Sequence, residues 1–305
     1  MRRRSQSLKG SPLHRGDNPS AVLRAAIACA LLLIALALPA ASQAAPPKRI
    51  VALTPFAANT LAKLGVTPVA IGETLGGNER FSPKLENVQR LPLSHPNGPN
   101  LEQLAQLDPD LVFSTKTWAK GNQSMKELGI EVVLRDPRSI DGAFADTFKI
   151  GTMVGRKHYA RDLLQSMRKQ VESARKGIAQ HPKVMLILGV GRTPFTFLPN
   201  SWGGDIVTKA GGVLLTGGVD SDSGFERISD ETVVAEDPDI IIAVPHANAD
   251  DIPSLTEYLR DNPAWAGTAA AREGNIYVSV DNSLLQAGTD IASTIRKVRR
   301  AYLKN

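Results

Sequence analysis

Cysteine is nearly missing from this chain of 305 residues: the one present, Cys29, sits inside an apolar run close to the start. After residue 44 there is none, which excludes disulfides and thiolate metal sites from that part and suits an oxidising compartment. Catalytic signatures are missing too. There is no G-x-S-x-G elbow, no H-E-x-x-H and no P-loop. Gly189-Val190-Gly191 follows a strand pattern, but Pro194 holds the place of the third glycine of a dinucleotide fingerprint. An enzyme acting on a small molecule is therefore a rival reading without a motif. Tyrosine is scarce, and Tyr159, Tyr258, Tyr277 and Tyr302 all fall inside expected helices or a strand. A zinc or manganese site needs three or four converging His and carboxylates, and no spacing here spells one. The only long apolar run, Ala25 to Leu38, is shorter than the 18 or more residues of a spanning helix.

That run has the form of a targeting segment. Arg2, Arg3, Arg4, Arg15 and Arg24 make its basic flank, and Ser42-Gln43-Ala44 offers small residues for cleavage after Ala44. A retained anchor is the alternative. Cys29 lies too early in the run for a lipoprotein signal. Residues 1–44 are expected to be a signal peptide, so the protein is expected to be secreted. They hold six Lys/Arg and one Asp, which leaves 30 basic and 29 acidic residues of the original 36 and 30. The net charge of +6 thus belongs mostly to the leader, and no nucleic-acid partner follows from it.

From Lys48 onward short apolar strands alternate with helices, which predicts parallel sheets covered by helices. The pattern occurs twice, around one long amphipathic stretch from Arg156 to Gln180. Its apolar residues are Ala160, Leu163, Leu164, Met167, Val171, Ala174 and Ile178, at helical spacing. A helix of that length would measure roughly 37 Å. The expected fold class is α/β, with two lobes, each a mainly parallel sheet with flanking helices, joined by one long α-helix. The boundaries are a first lobe over 45–154, the linking helix over 155–181 and a second lobe over 182–305. Three stretches are expected to be irregular: Glu73 to Gly98, Gly189 to Gly204 and Val219 to Arg227.

The lobes share a repeat. NLEQLAQLDPDLVFS, Asn100 to Ser114, aligns with SDETVVAEDPDIIIA, Ser229 to Ala243, at an offset of 129 residues. Each opens on a helix cap, carries a glutamate two residues later (Glu102, Glu231), and reaches Asp-Pro-Asp before a strand. A carboxylate in a first turn suits the helix dipole. It also suits a pair of acidic posts, one per lobe, docking on a partner that is itself two-fold.

In a doubly wound sheet the crevice lies beyond the carboxyl ends of the strands. That rule selects loops whose candidate ligand-binding residues are Phe56, Thr74, His95 and Trp118 in the first lobe, and Arg192, Trp202, His246 and Asn282 in the second. Their mixture suits a bulky ligand with an apolar body and polar edges. His95 and His246 are candidates for metal coordination or for ordinary hydrogen bonding.

The motifs RIVALTPFAANTLAKLG, PNLEQLAQLDPDLVFS, LGIEVVLRDPRSI, WGGDIVTKAGG and ISDETVVAEDPDIII together resemble the class III periplasmic substrate-binding proteins of ABC importers for vitamin B12, ferric siderophores and haem. The resemblance covers Lys48 to Leu303. It implies a periplasmic, non-enzymatic binding protein with no intrinsic cofactor, whose ligand is an iron chelate, corrinoid or haem. A ferric siderophore comes first as the family's commonest cargo, then cobalamin, then haem. A sensor of the same fold without a transporter is the other reading. The resemblance further implies that Glu102 and Glu231 engage arginines of a membrane permease dimer. One departure stands out: where many members carry Glu in the first helix turn, this chain has Asn59.

Overall fold

The computed structural model describes residues 45–73 and 81–304; the expected signal peptide and Thr74 lie outside the described residues. Ile50–Ala52 (β1) is buried on both faces, as a central parallel strand must be. The Thr54 hydroxyl then accepts from the Ala57 N–H at 3.2 Å, and Pro55 opens the helix Pro55–Lys63 (α1) where a missing N–H costs nothing. Ala70–Glu73 (β2), Gln89–Ser94 (β3), Gly98–Pro99 (β4), Leu111–Ser114 (β5) and Val132–Leu134 (β6) complete the first sheet. Its order is β4-β3-β2-β1-β5-β6, parallel except for β4. Helices Leu101–Gln106 (α2), Ala119–Glu127 (α3) and Ile140–Met153 (α4) belong to this lobe.

Lys157–Arg175 (α5) is the linking helix. It is shorter than expected, 19 residues or about 28 Å. Lys176 turns extended and Gly177 takes φ 70°, a conformation that suits glycine, so Ile178 is left outside the helix. Ala160, Met167, Val171 and Ala174 are buried as the stripe requires, against α4 and the C-terminal helix Ile291–Lys297. The turn between α4 and α5 is tight: a Cβ on Gly151 would lie 2.3 Å from the Ala160 methyl. One apolar cluster runs from β1 and α1 through α5 into the second lobe, so the helix is mortared to both sides.

The second sheet is built on Lys183–Val190 (β7), followed by Thr193–Phe197 (β8), helix Trp202–Ala210 (α6), Val213–Leu215 (β9), Phe225–Arg227 (β10), helix Asp230–Glu236 (α7), Ile240–His246 (β11), helices Ile252–Arg260 (α8) and Ala269–Arg272 (α9), and Ile276–Val278 (β12). The C-terminal helix (α10) runs on to Leu303 in wider turns. The order is β10-β8-β7-β11-β12, with β9 pairing the first half of β7. β7, β9, β11 and β12 are parallel; β8 runs antiparallel to β7, and β10 is antiparallel to β8. Among the described residues no helix is long and apolar enough to cross a membrane.

All three stretches expected to be irregular hold strands. Glu73 to Gly98 includes β3 and β4. The burial of β3 alternates, with Leu91 and Leu93 inward and Pro92 at an exposed position, so the proline interrupts the sequence pattern without interrupting the strand. Gly189 to Gly204 is largely a β7–β8 hairpin, turning at Gly191 with φ 58°. Val219 to Arg227 ends in β10.

The repeat is repeated in atoms. Asn100 Oδ1 accepts from the Gln103 N–H at 3.0 Å, and Ser229 Oγ accepts from the Thr232 N–H at 3.2 Å. Asp108 and Asp237 both adopt left-handed backbone, φ 43° and 42°. Asp110 Oδ2 takes the N–H groups of Lys48 and Arg49 at 2.6 and 2.8 Å, and Asp239 Oδ2 takes that of Lys183 at 2.7 Å. The basic side chain opening each lobe's first strand reaches the left-handed Asp: Arg49 Nε donates to the Asp108 carbonyl and Lys183 Nζ to the Asp237 carbonyl. Each Asp-Pro-Asp is thus a clasp that locks a helix end to the start of the central strand. The two N–H donors hold the Asp110 carboxyl below the usual carboxylate range.

Candidate functional site

The segments that follow β1 and β12 face each other. Pro55 and Asn59, in the first turns of α1, line one pocket with Asp281, Asn282, Ser283 and Gln286 and with Ser293, Thr294 and Lys297 of α10. The lobes therefore meet at the carboxyl ends of their strands, where the crevice of a doubly wound sheet is expected. Further contacts span the gap. Lys63 Nζ pairs with Asp290 at 2.9 Å, Arg138 Nη1 donates to the Asp222 carbonyl at 2.7 Å, and Asp205 Oδ2 accepts from the Ile140 N–H at 2.7 Å.

The pocket is polar and close to charge-balanced. Lys297 Nζ lies 2.7 Å from Asp281 Oδ2, and the Ser283 hydroxyl donates to Asp281 Oδ1 at 2.6 Å. Asn59 Oδ1 accepts from the Ser82 N–H at 2.7 Å, so this residue ties the segment around Ser82 to α1. The cavity volume is about 100 Å³, enough for the edge of a ligand and too little for a bulky body. Exposed apolar side chains stand at the carboxyl ends of strands: Leu134 closes β6, Val190 closes β7 and Val280 follows β12, 38%, 41% and 47% exposed.

Of the residues expected at the cleft, Asn282 lies in the pocket, and its carboxamide makes no hydrogen bond among the described residues. Phe56 and Trp202 do not reach it. Phe56 has no exposed surface and belongs to the core. Trp202 is 4% exposed and donates from Nε1 to the Ser283 carbonyl at 3.0 Å, so it props the pocket wall from behind. Both sit in the first turns of helices whose apolar faces turn inward. Trp118 is also buried, with the exposed His95 edge-on to it at 6.3 Å. Arg192 sits in the β7–β8 turn, 5.0 Å over the Tyr258 ring, and lines a separate groove with Glu231. Thr74 lies outside the described residues.

His246 ends β11, half-buried and next to Val190 on β7. Burial pushes its imidazole below the ordinary value of 6.5. The folded state therefore resists a proton that the unfolded chain accepts. Its effect on stability is absent well above pH 6.5 and grows unfavourable as the pH falls below that value. His246→Gln is expected to flatten the acid side of a melting-temperature profile between about pH 6.5 and 5. An unchanged profile would remove His246 as its cause. Among the described residues no group of three His, Cys, Asp or Glu is placed to hold a metal ion.

Glu102 and Glu231 are exposed in the first turns of α2 and α7. The Ser229 hydroxyl, followed by its own N–H, holds the Glu231 carboxyl below its ordinary range and keeps it ionised.

Sequence reading missed Gln286, Thr294 and Lys297, which come from the far end of the chain. It also missed Leu134, Val190 and Val280, although the strand-end rule pointed beside them.

Known proteins resemble this chain in sequence and fold. A cobalamin-binding protein of Halobacterium salinarum is 26% identical over 262 residues, covering 84% of this chain and 69% of that protein. The high-affinity heme uptake system protein IsdE of Staphylococcus aureus is 26% identical over 192 residues, covering 61% of this chain and 64% of its own length. An ABC transporter substrate-binding protein from Listeria monocytogenes superposes with a TM-score of 0.73 at 22% identity, over 86% of this chain and all of that one, which establishes a common fold. The periplasmic binding protein family matches residues 50–281, and this chain, with its two α/β lobes and interlobe pocket, belongs to it.

Proposed function

We propose that this protein is the substrate-binding component of an ABC importer, which captures a corrinoid or related metal chelate and hands it to a membrane permease through Glu102 and Glu231. The observation that carries the reading is the pocket between the lobes, with neutral amides and hydroxyls inside and an internally balanced ion pair at Lys297–Asp281, together with exposed apolar residues at the carboxyl ends of strands in both lobes. It suits a flat, largely apolar body with hydrogen-bonding edges. Three points move the corrinoid ahead of the ferric siderophore expected at first. The relative matched over 84% of the chain is a cobalamin-binding protein. The pocket's free amide at Asn282 fits a neutral amide edge better than a carboxylate. Among the described residues that line it, the one cation, Lys297, is already paired. Haem is less well served, because none of the described pocket-lining residues is a His or Tyr. The protein works as a carrier and not as an enzyme, and residues 1–44 direct it to the periplasm and are cleaved near Ala44.

The test is titration calorimetry with cyanocobalamin, haemin and a ferric hydroxamate, beside an absorption spectrum of protein purified from its native host. A corrin spectrum with tight cobalamin binding is expected. Binding of none of the three would sink the cargo assignment. Asn282→Ala is expected to weaken cobalamin binding about two- to tenfold, the worth of one neutral hydrogen bond. Unchanged affinity would take Asn282 out of the site.

A further inference from the structure

The two acidic posts stand in different surroundings, although they occupy the same position of the repeat. Beside Glu231 lies a groove with a cavity volume of about 540 Å³, lined by Arg192, Arg227, Pro194 and Val219. Arg227 ends β10 and Arg192 is the turn of the β7–β8 hairpin, both exposed on regular elements. Among the described residues neither guanidinium has an acidic partner; Arg192 is steadied only by the Tyr258 ring. Asp230 lies in the same groove, but its Oδ1 accepts from Trp265 Nε1 at 2.6 Å and from Asn262 Nδ2 at 3.3 Å, so its charge is turned inward. Glu231 points outward. The groove therefore presents one carboxylate and two guanidinium groups without an acidic partner among the described residues, around a small apolar lining. At the first post, 129 residues earlier, the position of Arg227 is held by the buried Gly98 and that of Asp230 by Leu101.

We infer that the groove beside Glu231 receives a mixed-charge element of the permease, one that offers a basic side chain to Glu231 and a carboxylate to Arg192 and Arg227. The inference rests on the importer reading above. Charge complementarity of this kind raises the association rate and fixes orientation more than it raises contact area. Two lobes with identical posts dock equally well in either orientation on a two-fold permease. A guanidinium pair at one post alone makes the second-lobe half of the interface the stronger, more salt-sensitive one.

The experiment measures association of the ligand-loaded protein with its permease–ATPase complex in nanodiscs at two salt concentrations. Glu102→Lys and Glu231→Lys test the importer reading. Arg192→Glu with Arg227→Glu tests the groove, and Arg161→Glu with Lys169→Glu on the linking helix makes the same charge change elsewhere. The groove variant is expected to associate about tenfold more slowly and with a shallower salt dependence, while the linking-helix variant stays near wild type. Wild-type association of the groove variant, with the glutamate variants impaired, overturns the inference and leaves the importer reading standing. Equal slowing by both arginine and linking-helix variants overturns it as well, since net charge alone would then explain the loss. Wild-type association of both glutamate variants removes the importer reading and this inference with it.

Discussion

Reversing both posts together, Glu102→Lys with Glu231→Lys, is expected to abolish transport and to lower permease affinity by about a hundredfold or more, since each lysine would face a basic socket. Ligand affinity is expected to stay within about twofold, because neither residue lines the interlobe pocket. The helices carrying the posts should survive. Each keeps its cap, Asn100 or Ser229, and each keeps the Asp-Pro-Asp clasp that ties its far end to the central strand. A lysine in a first helical turn opposes the helix dipole, but at an exposed site that is a matter of a few tenths of a kcal/mol to about one. Single reversals should each produce part of the loss and combine close to additively, because the posts sit on different lobes with no shared partner. Growth on the cargo as sole source, measured beside nanodisc affinity, separates the outcomes. Normal growth of the double variant would mean that the glutamates are dipole partners and nothing more. Impaired cargo binding would mean that the substitutions had disturbed the lobes themselves.

The sequence announced the repeat clearly because its signals are local, whereas the clasps, which join Asp110 to Lys48 and Asp239 to Lys183 across 62 and 56 residues, stayed hidden. Capping by Asn100 and Ser229 needs only the next three residues. The central strands were equally plain, since β1, β7 and β11 are buried on both faces and read as unbroken apolar runs. What stayed hidden depends on partners far away in the chain. β3 carries Pro92 and β8 carries Pro194, and each looks like loop until a neighbouring strand is known to accept it. The aromatic residues failed for the same reason. Phe56 and Trp202 follow strands at the cleft, but the side a helix turns to the core is settled by packing against α4 and α10. The pocket gathers Asn59 and Lys297 from nearly opposite ends of the described chain, a juxtaposition that no local spacing encodes.

Trp265→Ala is expected to have the largest effect on stability, a loss of about 3–5 kcal/mol from removing a fully buried indole. Trp265 has no exposed surface, and it packs in the second-lobe cluster with Met185, Ile187, Ile241, Leu255 and Leu259. Its Nε1 donates to Asp230 Oδ1 at 2.6 Å, one residue before the post Glu231. Removing the ring opens a cavity and also takes from Asp230 its shorter hydrogen bond, leaving the Asn262 amide as its side-chain donor among the described residues. Trp265→Phe separates the two effects. It keeps most of the apolar volume and loses the donor, with an expected cost of about 1–3 kcal/mol. Both variants loosen the start of α7, so permease association should slow for each, and more for Trp265→Ala. Urea unfolding followed by tryptophan fluorescence reads stability, and nanodisc association reads the post. If Trp265→Phe proves as costly as Trp265→Ala, the hydrogen bond outweighs the packing. If permease association stays normal in both, Asp230 does not hold Glu231 in place, and the post stands on the Ser229 cap alone.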